Sequence, residues 1–135
     1  MRVLVVGAVN WPEPAVVGSD VAAVFGRWPD AELVIGGWGV VDDLARDAAA
    51  ESGREVVVVK PQGRKIGTWR LTVAGWLDRC APDFILAYAT RKAWVVRRVA
   101  KLAKQRGIAI QIIYPSGSKF AAASTLTEEA ACPTE

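Results

Sequence analysis

The chain has 135 residues and a mass of 14.5 kDa, a length that suits one domain with a fair-sized core. Apolar residues make up 52% and charged residues 23%, which excludes a wholly disordered chain. With no histidine and only Cys80 and Cys132, His-based triads and Cys/His zinc sites are excluded, and neither a metal nor a cofactor is expected. A reduced cytoplasmic chain is the simplest reading of the two cysteines. No apolar run reaches the ~18 residues of a membrane span, and the opening MRVLVVG leads straight into a strand rather than a secretory leader. No membrane partner is expected.

The elements follow in chain order. Five strand-like runs occur at Arg2–Gly7, Glu32–Gly36, Glu55–Lys60, Asp83–Tyr88 and Ile108–Ile113. Each is nearly continuous in apolar, often β-branched residues, the pattern of strands buried on both faces of a parallel sheet. Between them lie helical spacings. Val17, Val21, Val24, Phe25 and Trp28 form one stripe, and Val41, Leu44, Ala45 and Ala48 form a second that Gly53 is placed to end. Trp69, Val73, Trp76 and Leu77 mark a third helix over 69–79. Val95, Val99, Leu102 and Ala103 mark a fourth over 91–106, with Gly107 as its stop. Alternating strand and helix predicts an α/β fold: a three-layer Rossmann-like domain with a mostly parallel sheet of about five strands flanked by helices, over residues 1–114. Residues 115–135 read as a loosely attached tail, in which Thr125 and Glu128 have capping-box spacing ahead of a short helix at 127–131.

Charge divides along the chain. The formal net charge is +3. Residues 1–59 carry four basic and nine acidic side chains, a balance of −5, whereas residues 60–119 carry thirteen basic and two acidic, a balance of +11. Such a segment suits an anionic partner or a solvated basic surface. In the fourth helical segment Arg97, Arg98, Lys101 and Lys104 recur at three- and four-residue spacings, and with Arg91 they make a ridge that fits either a nucleic-acid backbone or solvent.

Ligands of open parallel sheets bind beyond the carboxyl ends of the strands, so the loops there carry the functional expectation. After the first strand, Gly7 permits a tight turn, Asn10 can bond a ligand or the loop, and Trp11 can stack on a base or pack the loop down. After the second, Gly36, Gly37 and Gly39 precede a helix, an arrangement that exposes backbone N–H groups to an anion. Asp42 and Asp43 in that helix's first turn can cap it or accept a sugar hydroxyl or exocyclic amine. Asp42 is the better candidate for a general base, should the protein be an enzyme. After the third, Lys60, Arg64, Lys65 and Arg70 accompany two glycines, and Arg70 suits bidentate contact with phosphate. After the fourth, Thr90 is a candidate helix cap and ligand contact, and Arg91 and Lys92 fall in the first helical turn, where a bound anion would offset the helix dipole. Neither GxGxxG nor GxxxxGK[ST] occurs.

Several of these motifs have a family likeness. The first loop reads Val5-Val6-Gly7-Ala8-Val9-Asn10-Trp11. The second reads Val34-Ile35-Gly36-Gly37, then Asp42-Asp43-Leu44-Ala45. Gly67 and Arg70 follow, and then Ala81-Pro82-Asp83-Phe84-Ile85-Leu86-Ala87-Tyr88. Over residues 2–113 the chain resembles the small Rossmann-like SLOG superfamily, particularly its YspA-type group, which is related to the DNA-processing protein A fold and to the LOG phosphohydrolases. The resemblance implies a Rossmann-like fold and binding of a nucleotide or nucleotide derivative. The sequence departs from the family pattern at Val9, Val40 and Leu71, and its third glycine-rich loop is replaced by Ala89-Thr90-Arg91-Lys92. The PGGxGTxxE motif of the LOG hydrolases has no counterpart, so that activity is not implied.

Four readings follow, in order of preference. The first is a binding protein for a nucleotide-like or other phosphorylated small molecule, non-catalytic or of unknown activity. The second is a degenerate scaffold or protein-interaction domain, such as a dimer, for which six tryptophans supply core and interface. The third is a nucleic-acid-associated protein using the fourth helix. The fourth is a nucleotide-processing hydrolase or transferase with Asp42 or Asp43 as base.

Overall fold

A computed structural model describes residues 1–37, 39–61, 69–91 and 93–116, with the backbone alone over 69–72. The elements are β1 (Arg2–Gly7), α1 (Pro14–Arg27), β2 (Glu32–Ile35), α2 (Val40–Glu51), β3 (Val57–Val58), α3 (Trp69–Cys80), β4 (Phe84–Tyr88), α4 (Trp94–Arg106) and β5 (Ala109–Ile113). The five strands form one parallel sheet in the order β3-β2-β1-β4-β5. Chain direction across the sheet therefore reverses between β1 and β4.

Period-two alternation divides the side chains between two cores. Val3 and Val5 of β1, Leu33 and Ile35 of β2, and Leu86 and Tyr88 of β4 meet α1 and α2. Leu4, Val6, Val34, Ile85 and Ala87 meet α3 and α4. The strands are apolar throughout because both faces are covered. Each helix buries one stripe: Val17, Val21, Val24 and Phe25 on α1; Val41, Ala45, Ala48 and Ala49 on α2; Val96, Val99, Leu102 and Ala103 on α4. Gly53 and Gly107 follow the ends of α2 and α4 with φ of 70° and 67°, as the helix stops require.

Four local expectations change. β3 has two residues rather than six, because its only described neighbour, β2, ends at Ile35. Its pairing stops at Val34–Val57 and Ile35–Val58, followed by one further bond from Val59 N–H to Ile35 O at 2.9 Å. The chain beyond it is held from α3 instead: Trp76 Nε1 donates to Val59 O, and Arg79 Nη2 donates to Lys60 O at 2.7 Å. Trp28 lies just past α1 and packs on Phe84, ring centroids 5.6 Å apart. α4 begins at Trp94 with Ala93 as its cap residue, so Arg91 precedes the helix instead of occupying its first turn. Val96, not Val95, is the buried residue of that turn. Trp38, the loop over 62–68, the Arg70 side chain, Lys92 and the tail over 117–135 with its expected helix lie outside the described residues. No described helix is long and apolar enough to cross a membrane.

Candidate functional site

The site begins where β1 and β2 part. β1 stays paired with β4 as far as Gly7–Tyr88, whereas its pairing with β2 ends at Leu4–Val34. The first turn of α2 drops into the gap. A Cβ on Gly7 would lie 2.3 Å from Val41 Cγ2 and 2.6 Å from Val41 Cβ. Gly7 is thus glycine because α2 rests directly on the end of β1. Its φ is not positive, so the need is for space and not for an unusual turn.

Above this contact lies an open cleft of about 420 Å³ lined by Val9, Gly37, Gly39, Val40 and Asp43. Both valines are exposed, Val9 at 71% and Val40 at 45%. Gly37 forms part of the floor with φ +78°, and a Cβ there would meet Val58 Cγ1 at 3.1 Å and Lys60 Cε at 3.9 Å. The Lys60 stem therefore runs beside Gly37. Gly39 caps α2 in an extended conformation, φ −145°, with no side chain bonded to the first turn, and a Cβ there meets nothing. Among the described residues, no backbone bond outside the regular elements uses the N–H of Gly36, Gly37 or Gly39, while Gly39 O accepts from Asp43 N–H at 3.2 Å. Gly36 is buried at the end of β2. The cleft so brings together the Gly37 and Gly39 backbone, the Asp43 carboxylate and two valines, with the Lys60 stem beside Gly37.

The two aspartates have opposite placements. Asp43 is exposed and lines the cleft. Asp42 turns inward at 4% exposure and is engaged within the structure. The carboxylate at the cleft is therefore Asp43. At about 100° per residue, Asp42 lies nearer than Asp43 to the stripe of Val41, Ala45 and Ala48 that α2 buries. Val9 and Val40 also line the cleft; in the sequence they stand out only as departures from the family pattern, because apolar residues in a loop carry no chemical signature of their own.

On the other side of β1 the loops close on each other. Thr90 Oγ1 donates to Asn10 Oδ1 at 2.8 Å, joining the loops after β1 and β4 across the reversal in strand order. Thr90 caps no helix with its side chain. Its carbonyl accepts from Ala93 N–H at 3.1 Å. Trp11 is 5% exposed, donates from Nε1 to Glu13 O at 2.9 Å and packs edge-on against Tyr88, centroids 5.1 Å apart. It holds the loop down, and its ring is no platform for a base in this arrangement. Glu13 in turn accepts from Ser116 N–H, linking this loop to the chain after β5. Tyr88 is fully buried, and its hydroxyl donates to Asp20 Oδ2 of α1 at 2.8 Å. Burial raises the Asp20 carboxyl above its usual range against the opposing pull of the Tyr88 bond. Burial, the Asp20 charge and the same bond all raise the Tyr88 phenol.

The basic ridge lies apart from the cleft, on the outer face of α4. Arg97, Lys101 and Lys104 are exposed, and Arg98 is half-buried. Arg97 Nη1 donates to Arg91 O at 3.4 Å, bringing those two residues together. Among the described residues no group of three His, Cys, Asp or Glu side chains is placed to hold a metal. No protein-family model matches the chain, and no curated protein matches it.

Proposed function

We propose that the protein binds a nucleotide-like small molecule in the cleft between the β1 and β2 loops. A three-layer, parallel Rossmann-like domain is compatible in general with small-molecule or nucleotide binding, although fold alone does not assign a ligand. The observation that carries the reading is the cleft itself: about 420 Å³ at the carboxyl ends of β1 and β2, within the range of ordinary ligand sites. Asp43 accepts a sugar hydroxyl or an exocyclic amine. The Gly37 and Gly39 backbone, with Lys60, faces the anionic part. Val9 and Val40 offer apolar contact to a base. A phosphate directly beside Asp43 would be repelled, so the sugar or base belongs at the α2 end and the phosphate at the Gly37–Lys60 end. The resemblance to SLOG proteins favours the same ligand class. Asp42, being buried, is no base for a bound substrate in this arrangement, which leaves Asp43 as the carboxylate at the cleft.

Thermal denaturation with a panel of nucleoside mono-, di- and triphosphates tests this. A ligand at ten times its Kd should stabilise the protein by about 1.4 kcal/mol, or about 4 °C for a chain of this size. Asp43→Asn should abolish most of that shift while leaving the unliganded midpoint nearly unchanged. No shift with any member of the panel at millimolar concentration would reject the reading.

A further inference from the structure

The outer edge of β5 offers a second surface, separate from the cleft. β5 is the last strand of the sheet, and among the described residues it pairs on one side only, with β4, over Ala109–Ile113. Ile113 O accepts from Ala89 N–H at 2.8 Å, so Ile113, and with it Gln111 and Ala109, turn their backbone groups toward β4. The alternate residues Ile110 and Ile112 therefore present N–H and C=O groups at the outer edge. Natural sheets blunt such edges with charge, proline or shortness. The opposite edge has all three: β3 is two residues long, between Glu55 and Lys60–Pro61. β5 has none of them. No charged residue occurs between Arg106 and Lys119, and Pro115 falls past the end of the strand.

The side chains of β5 fit a second copy of the same strand. α4 packs over the face that holds Ile110 and Ile112. The other face holds Ala109, Gln111 and Ile113, all half-buried. Gln111 is the one polar side chain of β5 and stands at its midpoint, and among the described residues nothing bonds its amide. In a two-fold pair a strand meets itself, so a charge at the centre would face its own like. An amide is its own complement, donating from Nε2 and accepting at Oε1. With Gln111 on the axis, Ile110 of each copy stands opposite Ile112 of the other, and the two exchange both backbone bonds. The facing glutamines form a non-hydrogen-bonded pair with Cα atoms about 4.5 Å apart, where side chains meet. The joint is about 23 Å long over Ile108–Tyr114 and about 20 Å deep, one strand and one helix. It buries about 900 Å² over the two copies, below the ~1,200 Å² of standard interfaces, which fits a reversible dimer. We propose that β5 pairs antiparallel with β5 of a second copy about a two-fold axis at Gln111, joining the two sheets.

Cysteine cross-linking and sedimentation velocity test the proposal on the full chain. In a Cys132→Ser background, where Cys80 stays buried, Gln111→Cys should form a disulfide-linked dimer on mild oxidation, because facing Cα atoms fall near the disulfide range of about 4.4–6.8 Å. Ala109→Cys should not, since its two copies would stand about 14 Å apart. Without cysteine substitutions, the protein should dimerise reversibly at concentrations up to about 300 µM. Gln111→Glu and Gln111→Lys should each weaken the dimer at least about tenfold, as like charges meet on the axis, and mixing the two should restore it. Circular dichroism checks that each variant is folded, and should a charged variant fail to fold, the cross-link decides. Added salt should leave the wild-type dimer as tight or tighter, because α4 with its exposed cations lies on the same face of both joined sheets. The proposal is overturned by a wild-type chain that stays monomeric, by cross-linking at position 109 as fast as at 111, by folded charged variants that dimerise like wild type or do not recover on mixing, or by a dimer that salt dissociates.

Discussion

Replacing Gly7 with alanine tests the contact on which the cleft is built. The new Cβ would stand 2.3, 2.6 and 2.8 Å from the Cγ2, Cβ and Cγ1 atoms of Val41. Carbon atoms in contact sit about 3.5–4.0 Å apart, so the two residues must separate by about 1 Å. Rotating the valine does not help, because its own Cβ is one of the clashing atoms and is fixed to the α2 backbone. Val41 is 1% exposed and wedged in the core, so the first turn of α2 must lift. Such overpacking costs about 1–3 kcal/mol. With a urea m-value of about 2 kcal/mol/M, a loss of 2 kcal/mol lowers the midpoint by about 1 M. The sign is diagnostic. At a position with ordinary φ and free space, Gly→Ala stabilises by about 0.4–1 kcal/mol through the unfolded chain. A double-mutant cycle with Val41→Gly should show a favourable coupling of at least about 1 kcal/mol, whereas Val41→Ala, which keeps the Cβ, should rescue less. A Gly7→Ala protein as stable as the wild type would refute the close approach, and with it the seating of α2 that turns Asp43 to the cleft and Asp42 to the core.

The remaining predictions use other parts of the structure. Gly37 and Gly39 should respond differently: Gly37→Ala, at φ +78° and against Val58, should cost about 1–2 kcal/mol, and Gly39→Ala should stay within about 0.5 kcal/mol of wild type in urea unfolding. Because burial raises the Asp20 pKa, the folded state favours its neutral form, so its stabilising contribution is present below the ordinary value of 3.8 and fades as pH rises through the raised one. Asp20→Asn, which can still accept from Tyr88, should therefore compare better with wild type at pH 7 than at pH 3. Asp20→Ala, which strands a buried hydroxyl, should lose about 1–3 kcal/mol at both. Urea midpoints across that range decide it, and an asparagine variant that compares better at pH 3 would count against the buried carboxylate. The Cys80 thiol is a free, fully buried group pushed up to about 12 by burial, against the pull of Arg2 and Arg79. In a Cys132→Ser background it should react with an aromatic disulfide reagent only as fast as the protein opens, and rapid labelling of the folded protein would contradict its burial.

The sequence by itself determined the α/β class, the five strands and four helices in their order, and the parallel sheet. These follow from local pattern: apolar β-branched runs need cover on both faces, and helical stripes at three- and four-residue spacing supply it. It also singled out the loops after β1, β2, β3 and β4 as candidate ligand contacts, since glycines and cations that cluster after a strand are visible without any contact being known. What only the tertiary structure decided are matters of distance between residues far apart in the chain. The strand order placed the Asn10–Thr90 bond across the reversal point, joining side chains 80 residues apart. The packing of Trp11 on Tyr88 made a candidate stacking surface into part of the core. The close approach of Val41 to Gly7 set the first turn of α2 on the end of β1, with Asp42 buried and Asp43 at the cleft. Local pattern records how each segment prefers to fold, but the direction in which one helix turn faces is set by the shape of the surface on which it comes to rest.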